Sequence, residues 1–443
     1  MGPQGRQPSG TDRRDFLKGS LAAAAGLTAL GPRTVAGGQG SPNEKVVVGV
    51  MGTSRSNNRR TPGRGASLAM TMARLPGAEI AYVCDVDSRN MALAAKGVEA
   101  VQSRRPKGVT DFRRILEDKA VDALIIAAPD HWHSPAAILA CAAGKHVYVE
   151  KPCSHNAREG ELLVAAARKH KRVVQHGTQR RSWPGLIEAV ARLREGLIGR
   201  VRYAKSWYLN ARPSIGKGRR AAVPDWLDYD LWQGPAPRRP YRDNVVHYNW
   251  HWFWHWGTGE LGNNGVHMLD LIRWGLGVDC PRHVASTGGR YLHDDDQETP
   301  DTNAVAFDFG ETLVLWEGRS CLPRTPIDPQ CDVAFFGEAG TLLIRGSGYV
   351  AYDRGGKEIA KGTGRGGDAD HLRNFLDGIR GRAKLHASID EGSKSAHLSH
   401  LGNIAWRVGR SLRCDAKTGR IVGDAEAMKL WTRDYEKGWQ PVA

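Results

Sequence analysis

Between Lys45 and Val149, short apolar runs alternate with segments of helical spacing, and few architectures accept that order. Lys45 to Gly52 is Val-rich and ends in glycine, which predicts a short buried strand, and Gly65 to Leu75 then has helical spacing. Glu79 to Asp85 predicts a second strand and Asp87 to Val101 a helix. Asp111 to Lys119 predicts a short helix and Asp122 to Ala128 an apolar strand ending at Pro129. Ser134 to Ala143 predicts an Ala-rich helix closed by Gly144, and His146 to Val149 a last buried strand. Strands alternating with helices at this interval predict a doubly wound parallel sheet, an α/β fold. Such sheets keep ligands at the carboxyl ends of their strands. Glu150, Lys151 and Pro152 stand at that edge. An isolated Lys-Pro reads as a surface lysine before a turn; after this series, Lys151 reads as a cationic donor in a site.

Beyond residue 200 the texture changes. Val201 to Leu209 and Ala304 to Trp316 show strand-like alternation, and residues 331–353 read as hairpins. Residues 211–243, rich in Pro, Arg and Gly, read as a long loop that shapes specificity. Ala369 to Arg380 and Lys394 to Arg410 read as helices. The expectation is a second, α+β domain on a mostly antiparallel sheet. A chain of 443 residues accommodates both domains. The expected division is 1–40 as signal and linker, 44–176 as the dinucleotide-binding domain and 177–435 as the substrate domain, with C-terminal helices returning to the first domain.

The formal charge of +16 comes from basic residues spread along the chain. No nucleic-acid motif accompanies it, so it reads as a solvated basic surface and no nucleic-acid partner is expected. No run in the mature chain reaches the length of a membrane span. The seven cysteines show no CxxC and no zinc-like spacing, and no metal site is expected. Cys321 and Cys331 are left as a pair that an oxidising compartment would allow to join. At the N-terminus, Arg13-Arg14-Asp15-Phe16-Leu17-Lys18, a short Ala-rich stretch and small residues near Ala36 resemble a twin-arginine export signal. The expected location is periplasmic or otherwise exported, and that route carries proteins already folded.

Gly49 and Gly52 close the first strand, and Gly63 and Gly65 precede the first helix after a polar insertion. Glycines serve where a backbone turns tightly and approaches a pyrophosphate at a helix N-terminus. The broken pattern is weak alone, but Asp85 follows Gly65 by 20 residues, the separation of a ribose-binding acid. A carboxylate there repels a 2′-phosphate, so NAD is expected over NADP. Arg55, Arg59, Arg60 and Arg64 stand against that preference as possible phosphate ligands, and a helix N-cap is the plainer role for Asp85.

Four segments share an order and spacing with one family. They are Val83-Cys84-Asp85-Val86-Asp87, Ala128-Pro129-Asp130-His131-Trp132-His133, Ala143-Gly144-Lys145-His146 running into Glu150-Lys151-Pro152, and Gly259 to Asp270. From Lys45 to the C-terminus the chain resembles the Gfo/Idh/MocA oxidoreductases, which include glucose–fructose oxidoreductase and inositol dehydrogenases. The resemblance implies a Rossmann domain, a second domain with an open antiparallel sheet, and a homo-oligomer (dimer or tetramer) formed through that sheet. It implies cofactor contacts at Pro129, His133 and Glu150, and places Lys151 beside the nicotinamide and the reacting hydroxyl. The family's Asp-x-x-x-His motif implies His267 as acid/base. Asn263 stands where the family has the Asp, and an amide orients or binds but carries no charge.

Hydride departure from a carbinol carbon requires the hydroxyl proton to leave, a task suited to a neutral imidazole. Lys151 would stabilise the developing alkoxide. The plainer reading of His267 is a buried histidine bonded to backbone. His251 and His255 lack evident metal partners. Trp250, Trp252, Trp254 and Trp256 alternate as one face of a strand would, and Trp252 and Trp254 are candidates for a sugar platform, with core packing as the alternative. Three readings follow. The first is an NAD-dependent oxidoreductase acting on a sugar CH–OH group with tightly bound, internally recycled cofactor. The second is a redox-neutral glycoside hydrolase working by oxidation, elimination, hydration and reduction. The third is a sugar-binding protein without turnover, motivated by Asn263. An exported enzyme lacks a free nicotinamide pool, which favours the recycled forms.

Overall fold

The structure, a computed structural model, describes residues 45–54 and 62–443. The export-signal segment and Arg55, Arg59 and Arg60 lie outside the described residues.

The first sheet has six parallel strands: β1 (Val46–Met51), β2 (Ala78–Cys84), β3 (Lys107–Val109), β4 (Ala123–Ile126), β5 (His146–Val149) and β6 (Val174–His176). Their order is β3-β2-β1-β4-β5-β6, so the winding reverses between β1 and β4. Successive side chains on a strand face opposite ways. Val48, Val50, Ala123 and Ile125 therefore pack on one side of the sheet with helices α1 (Arg64–Ala73) and α2 (Ser88–Gln102). Met51, Leu124 and Ile126 face the other side. There they meet α3 (Arg113–Glu117), α4 (Asp130–Ala142) and α5 (Ala157–Lys169). Both faces are covered, which is why these strands read as continuous apolar runs. Leu372, Phe375 and Leu376, far along the chain, join the first of these cores.

Helix α4 starts at Asp130, four residues earlier than expected. Pro135 made Ser134 look like the start, because proline suits a first turn. Inside the helix its missing N–H leaves the His131 carbonyl without its helical partner. Arg433 donates to that carbonyl instead, at 2.8 Å.

The second sheet has nine strands in the order β14-β13-β12-β11-β7-β10-β9-β8-β15. They are β7 (Val201–Leu209), β8 (His283–Gly289), β9 (Thr302–Asp308), β10 (Leu313–Arg319), β11 (Val333–Gly337), β12 (Gly340–Arg345), β13 (Gly348–Asp353), β14 (Glu358–Gly362) and β15 (Leu412–Arg413). Every pairing is antiparallel except β7 with β10. The run from Ala304 to Trp316 is thus two strands, paired Phe307 to Val314. Trp316, Phe307 and Phe335 are buried with Leu269 and Ile272 of α8 (Val266–Leu276) and Leu401 of α10 (Ile389–Val408). Four further helices are α6 (Pro184–Arg194), α7 (Tyr229–Gln233), α9 (Ala369–Ile379) and α11 (Ala425–Lys429).

Two expectations change. The stretch 211–243 is mostly irregular but holds α7, capped by the Asp228 side chain on Leu231 N. The tryptophan run is not a strand. Asn249–Trp252 forms a 3₁₀ turn, and Phe253 and Trp256 continue in tight turns through Trp250 O and Phe253 O. Those turn bonds leave no ladder for a neighbouring strand. The rings of Trp250, Phe253 and Trp256 instead build a satellite core with Tyr229, Trp232 and Tyr241. All seven cysteines are unpaired, Cys321 and Cys331 among them. No described helix is long and apolar enough to cross a membrane.

Candidate functional site

A cleft opens at the reversal between β1 and β4, where ligands of such sheets sit. It is lined by Gly52 after β1, Asp85 and Val86 after β2, and Ala127 to Pro129 after β4. Gly52 has φ +85°, and a Cβ there would lie 2.5 Å from Ala128 N. A Cβ on Gly65 would lie 1.8 Å from Gly52 O, so strand and helix touch through their glycines. Gly63 is the extended N-cap of α1 and offers no side-chain cap. The first-turn N–H groups of this ten-residue helix are therefore left for a ligand, and an anion such as a pyrophosphate fits them. Gly49 has another role: it lies within β1, where a Cβ would meet Ile115 at 2.5 Å. Arg64 is committed elsewhere. Its Nε donates to Glu150 (2.7 Å) and its Nη atoms to Asp368 (2.7 and 2.9 Å).

Asp85 is aimed by backbone. Oδ2 accepts from Thr53 N (2.6 Å) and Thr53 Oγ1 (3.1 Å), and Oδ1 from Asp87 N (2.9 Å). Burial raises its carboxyl pKa, opposed by these hydrogen bonds. A carboxylate has about four lone-pair sites, so it retains capacity for ribose hydroxyls. The helix N-cap considered for Asp85 is Asp87, which accepts from Arg89 N and Asn90 N. Asp87 also receives His247 Nε2 at 2.8 Å. Around that contact the second domain is laced to the first. Ser88 N donates to Trp226 O and Asp228 N to Val86 O. The cleft is thereby roofed by Trp232, His247 and Trp250. Residues 211–243 were expected to shape specificity; the structure adds that Leu231 and Trp232 of this stretch line the cleft.

His133 is a clamp. Its Nδ1 faces Pro152 O (2.6 Å) and its Nε2 faces Ala128 O (2.7 Å), so both nitrogens are spent on the loops after β4 and β5. The cofactor contact that the resemblance implies for His133 therefore has no free ring nitrogen to use.

At the reactive end Lys151 reaches 112 residues along the chain. Its Nζ donates to Asn263 O (2.7 Å) and Asn263 Oδ1 (2.9 Å). Asn263 lies in a π-helical turn, Leu261–Gly265, that runs into α8; such turns widen a helix and recur at functional sites. The Asn263 amide donates in turn to Glu260 Oε1 at 3.3 Å. Glu260 also accepts from Asn264, and from Arg212 Nε at 2.8 Å. Arg212 is held between Tyr248 Oη (2.9 Å) and the face of Trp252 (4.9 Å). A carboxylate thus remains in the network, one turn before the expected position and one amide removed from the lysine. Burial lowers the Lys151 pKa, while Glu150 pulls it back up.

His267 sits one turn beyond Asn263, partly buried, with no partner for Nδ1. Burial, then the Lys151 charge, holds its pKa well below the ordinary imidazole range. His251 has a similar environment. Burial drives its pKa far down, and the Lys151 charge adds to that. Its ring stacks on Trp250 (3.6 Å), and Nδ1 donates to Tyr248 O at 2.6 Å, leaving Nε2 as the basic nitrogen. Lys151 and Asn263 are brought into contact, and His267 lies near enough for the Lys151 charge to act on it. Glu260 and Arg212 were missed in the sequence, although Glu260 stands three residues before Asn263, and His251 was weighed only as a metal ligand. Trp252 and Trp254 are separated. Trp252 lies under Arg212, whereas Trp254 lies against Trp406 and Arg407 and lines a different cavity. Among the described residues no His, Cys, Asp and Glu cluster has metal-binding geometry.

Two family models match the chain: the NAD-binding Rossmann fold of the GFO/IDH/MocA oxidoreductase family over residues 46–178, and its C-terminal α/β domain over 206–318. A glycosyl hydrolase family 109 protein of Shewanella sp. strain ANA-3 is 31% identical over 216 residues, 46% of this chain and 47% of that protein. An inositol 2-dehydrogenase of Salmonella paratyphi B is 31% identical over 136 residues, 30% of this chain and 39% of that one. The match thus spans less than half of either relative's length. The crystal structure of the WlbA dehydrogenase from Bordetella pertussis, in complex with NADH and UDP-GlcNAcA, superposes with a TM-score of 0.62 at 20% identity, covering 84% of this chain and 99% of that one. At that identity the likeness is one of fold.

Proposed function

We propose that this chain, which belongs to the Gfo/Idh/MocA oxidoreductase family, oxidises a CH–OH group of a sugar or sugar derivative with NAD and keeps the cofactor bound between half-reactions. The observation that carries the reading is the Lys151 ammonium fixed on Asn263 beside a neutral His267, at the carboxyl edge of a sheet whose cleft holds Asp85. The nicotinamide, when bound, supplies the hydride acceptor and returns the hydride. Lys151 binds the hydroxyl oxygen and stabilises its developing charge. His267 accepts the hydroxyl proton, and its depressed pKa keeps it unprotonated near neutrality. Asn263 positions the ammonium through two acceptors, and Glu260 orients that amide. Asn263 therefore does not favour a binding protein without turnover: the lysine keeps a partner. Asp85 at the ribose supports NAD over NADP.

The twin-arginine pattern supports export with the cofactor already inside. Retention and internal recycling follow, because an exported enzyme meets no nicotinamide pool. The open face of the second sheet carries Tyr203 tilted against Phe336 (5.3 Å) with Leu313 exposed, which supports a homo-oligomer formed there.

A second reading is favoured by the relative named as a glycosyl hydrolase. A ring hydroxyl is oxidised to a ketone, the adjacent C–H loses its proton, the aglycone leaves, water adds and the hydride returns. That cycle needs a second base, and His251 Nε2 is placed for it.

Protein purified without added nucleotide and then denatured is expected to release NAD(H). If none is released and added NAD does not bind, both readings fail. Incubation with aryl glycosides separates them: phenol release with no net NADH identifies the glycosidase.

A further inference from the structure

The dinucleotide cleft extends past Asp85. Thr110 and Phe112 follow β3, which stands beyond β2 in the sheet, and they line the cleft with Trp132, Leu231 and Trp232. Asp85 is assigned to the adenosine ribose, so the base attached to that ribose meets this largely apolar wall. Leu231 and Trp232 belong to α7, a helix of five residues. So short a helix is marginal by its own hydrogen bonds, and its place is set by what holds its ends.

At its start, Asp228 N donates to Val86 O at 3.0 Å. At its far end, Trp232 O accepts from Trp132 Nε1 at 2.9 Å. A Cβ on Gly234 would lie 1.9 Å from Trp132 Cζ2, so the backbone after α7 lies directly against the indole. Glu436 returns to the same place. Its N–H donates to Pro235 O (3.1 Å), and its Oε2 accepts from Arg238 N (3.2 Å). Trp439 N donates to Glu436 O at 3.0 Å, a turn that sets the Trp439 ring edge-on to Trp132, with centroids 5.0 Å apart and planes at 86°. The Arg113 guanidinium lies 5.1 Å from the Trp439 ring.

Residues 436–439 thus reach the roof twice, through Glu436 directly and through Trp439 by way of Trp132. A segment that only covered the core would need apolar contact alone, whereas the bonds to Pro235 and Arg238 fix a loop. Neither Glu436 nor Trp439 lines the cleft, so their effect on a ligand passes through α7 and Trp132, which do.

We infer that Glu436 and Trp439 are positioning residues, a strap that holds α7 over the adenine end of the cleft and slows release of the dinucleotide. The inference rests on the NAD reading proposed for this cleft.

The test takes the full chain as Trp439→Ala, Trp439→Phe and Glu436→Ala. Two quantities are read: the NAD off-rate after dilution into excess unlabelled nucleotide, and amide exchange across α7 in protein stripped of nucleotide. Trp439→Ala should raise the off-rate by roughly threefold to tenfold, the worth of one aromatic pair. It should speed exchange in Tyr229–Gln233 while β1 and β4 exchange as in the wild type. Trp439→Phe, which keeps an edge-on ring, should restore both. Glu436→Ala should move both in the same direction by less, and it serves if Trp439→Ala does not fold. An unchanged off-rate overturns the strap, and so does faster exchange spread evenly over the first domain, which marks a packing role. If the wild type binds no NAD, the reading of the cleft fails on its own; α7 exchange then decides the strap, and unchanged exchange overturns it.

Discussion

The proposed ribose end, at Asp85, and the proposed reactive end, at Lys151, hold their charged groups by different means. At the ribose end, Asp85 is fixed by the backbone of Thr53 and Asp87, and Asp87 by the first turn of α2. At the reactive end, Lys151, Asn263, Glu260 and Arg212 hold one another by side chains drawn from separate elements. Backbone donors in a strand-to-helix turn are placed by local conformation and tolerate change around them. A side-chain network is only as well placed as the packing of both domains, and losing one member strands another as a buried charge. The ribose end should therefore degrade gradually under mutation, and the reactive end abruptly.

The steepest loss should come from Lys151→Ala. Single-turnover oxidation should fall by about 10³-fold, as for removal of a preorganised oxyanion donor, with NAD content unchanged. A variant that retains its rate would remove the lysine from the chemistry and leave the two ends alike. Glu260→Gln comes next, because it strands Arg212, whose side chain is 15% exposed against 2% for Glu260. Breaking such a pair costs about 3 kcal/mol of stability, readable as a lower denaturant midpoint at constant m-value. A midpoint that does not move would mean that the network is held from elsewhere. Asn263→Ala should lower the rate by about 10-fold to 100-fold, the worth of a hydrogen bond to a charged group. Asn263→Asp should instead preserve activity and raise the Lys151 pKa, moving the alkaline limb of the pH–rate profile upward.

At the ribose end the effects are smaller. The side chain of Asp87 is fully buried, and burial pushes its pKa up, but hydrogen bonds from His247 and Arg89 override this and hold the carboxyl well below its usual range. A folded pKa below the unfolded value of about 3.9 stabilises the protein at every pH above that value. The contribution is lost as pH falls from there through the folded value. Asp87→Asn should thus lower stability at pH 7, where the contribution is fully present, and flatten the acid-unfolding curve below about pH 4, where the wild type loses it as well. His247→Phe should do least: the NAD off-rate, measured after dilution into excess unlabelled nucleotide, should rise a few-fold. A change as large as that of the reactive-end variants would show that the roof, not the backbone turn, governs retention.

The same contrast separates what was legible in the chain from what was not. Asp85 was found because its spacing from Gly65 is fixed by one strand–helix–strand unit. Lys151 was found because β5 ends where its apolar run ends. Asn263 was recognised as a departure from a motif, yet its consequence was not visible: the compensating Glu260 matters only because a π-helical turn brings it, Asn263 and Arg212 together. Period-two spacing suggested a strand for the tryptophan run; the 3₁₀ turn and tight turns divided Trp252, which lies under Arg212, from Trp254, which lines a cavity. The resemblance implied His133 as a cofactor contact, but its nitrogens went to backbone carbonyls that no sequence pattern announces.

The sequence by itself determined the parallel sheet, the edge at which Lys151 stands and the acid that closes β2, because strand periodicity and turn glycines act over a few residues. Tertiary structure alone decided the lysine's partner and the roof over the cleft. Those depend on side chains separated by tens to hundreds of residues, and their placement follows from how two independently patterned sheets pack, which no local period encodes.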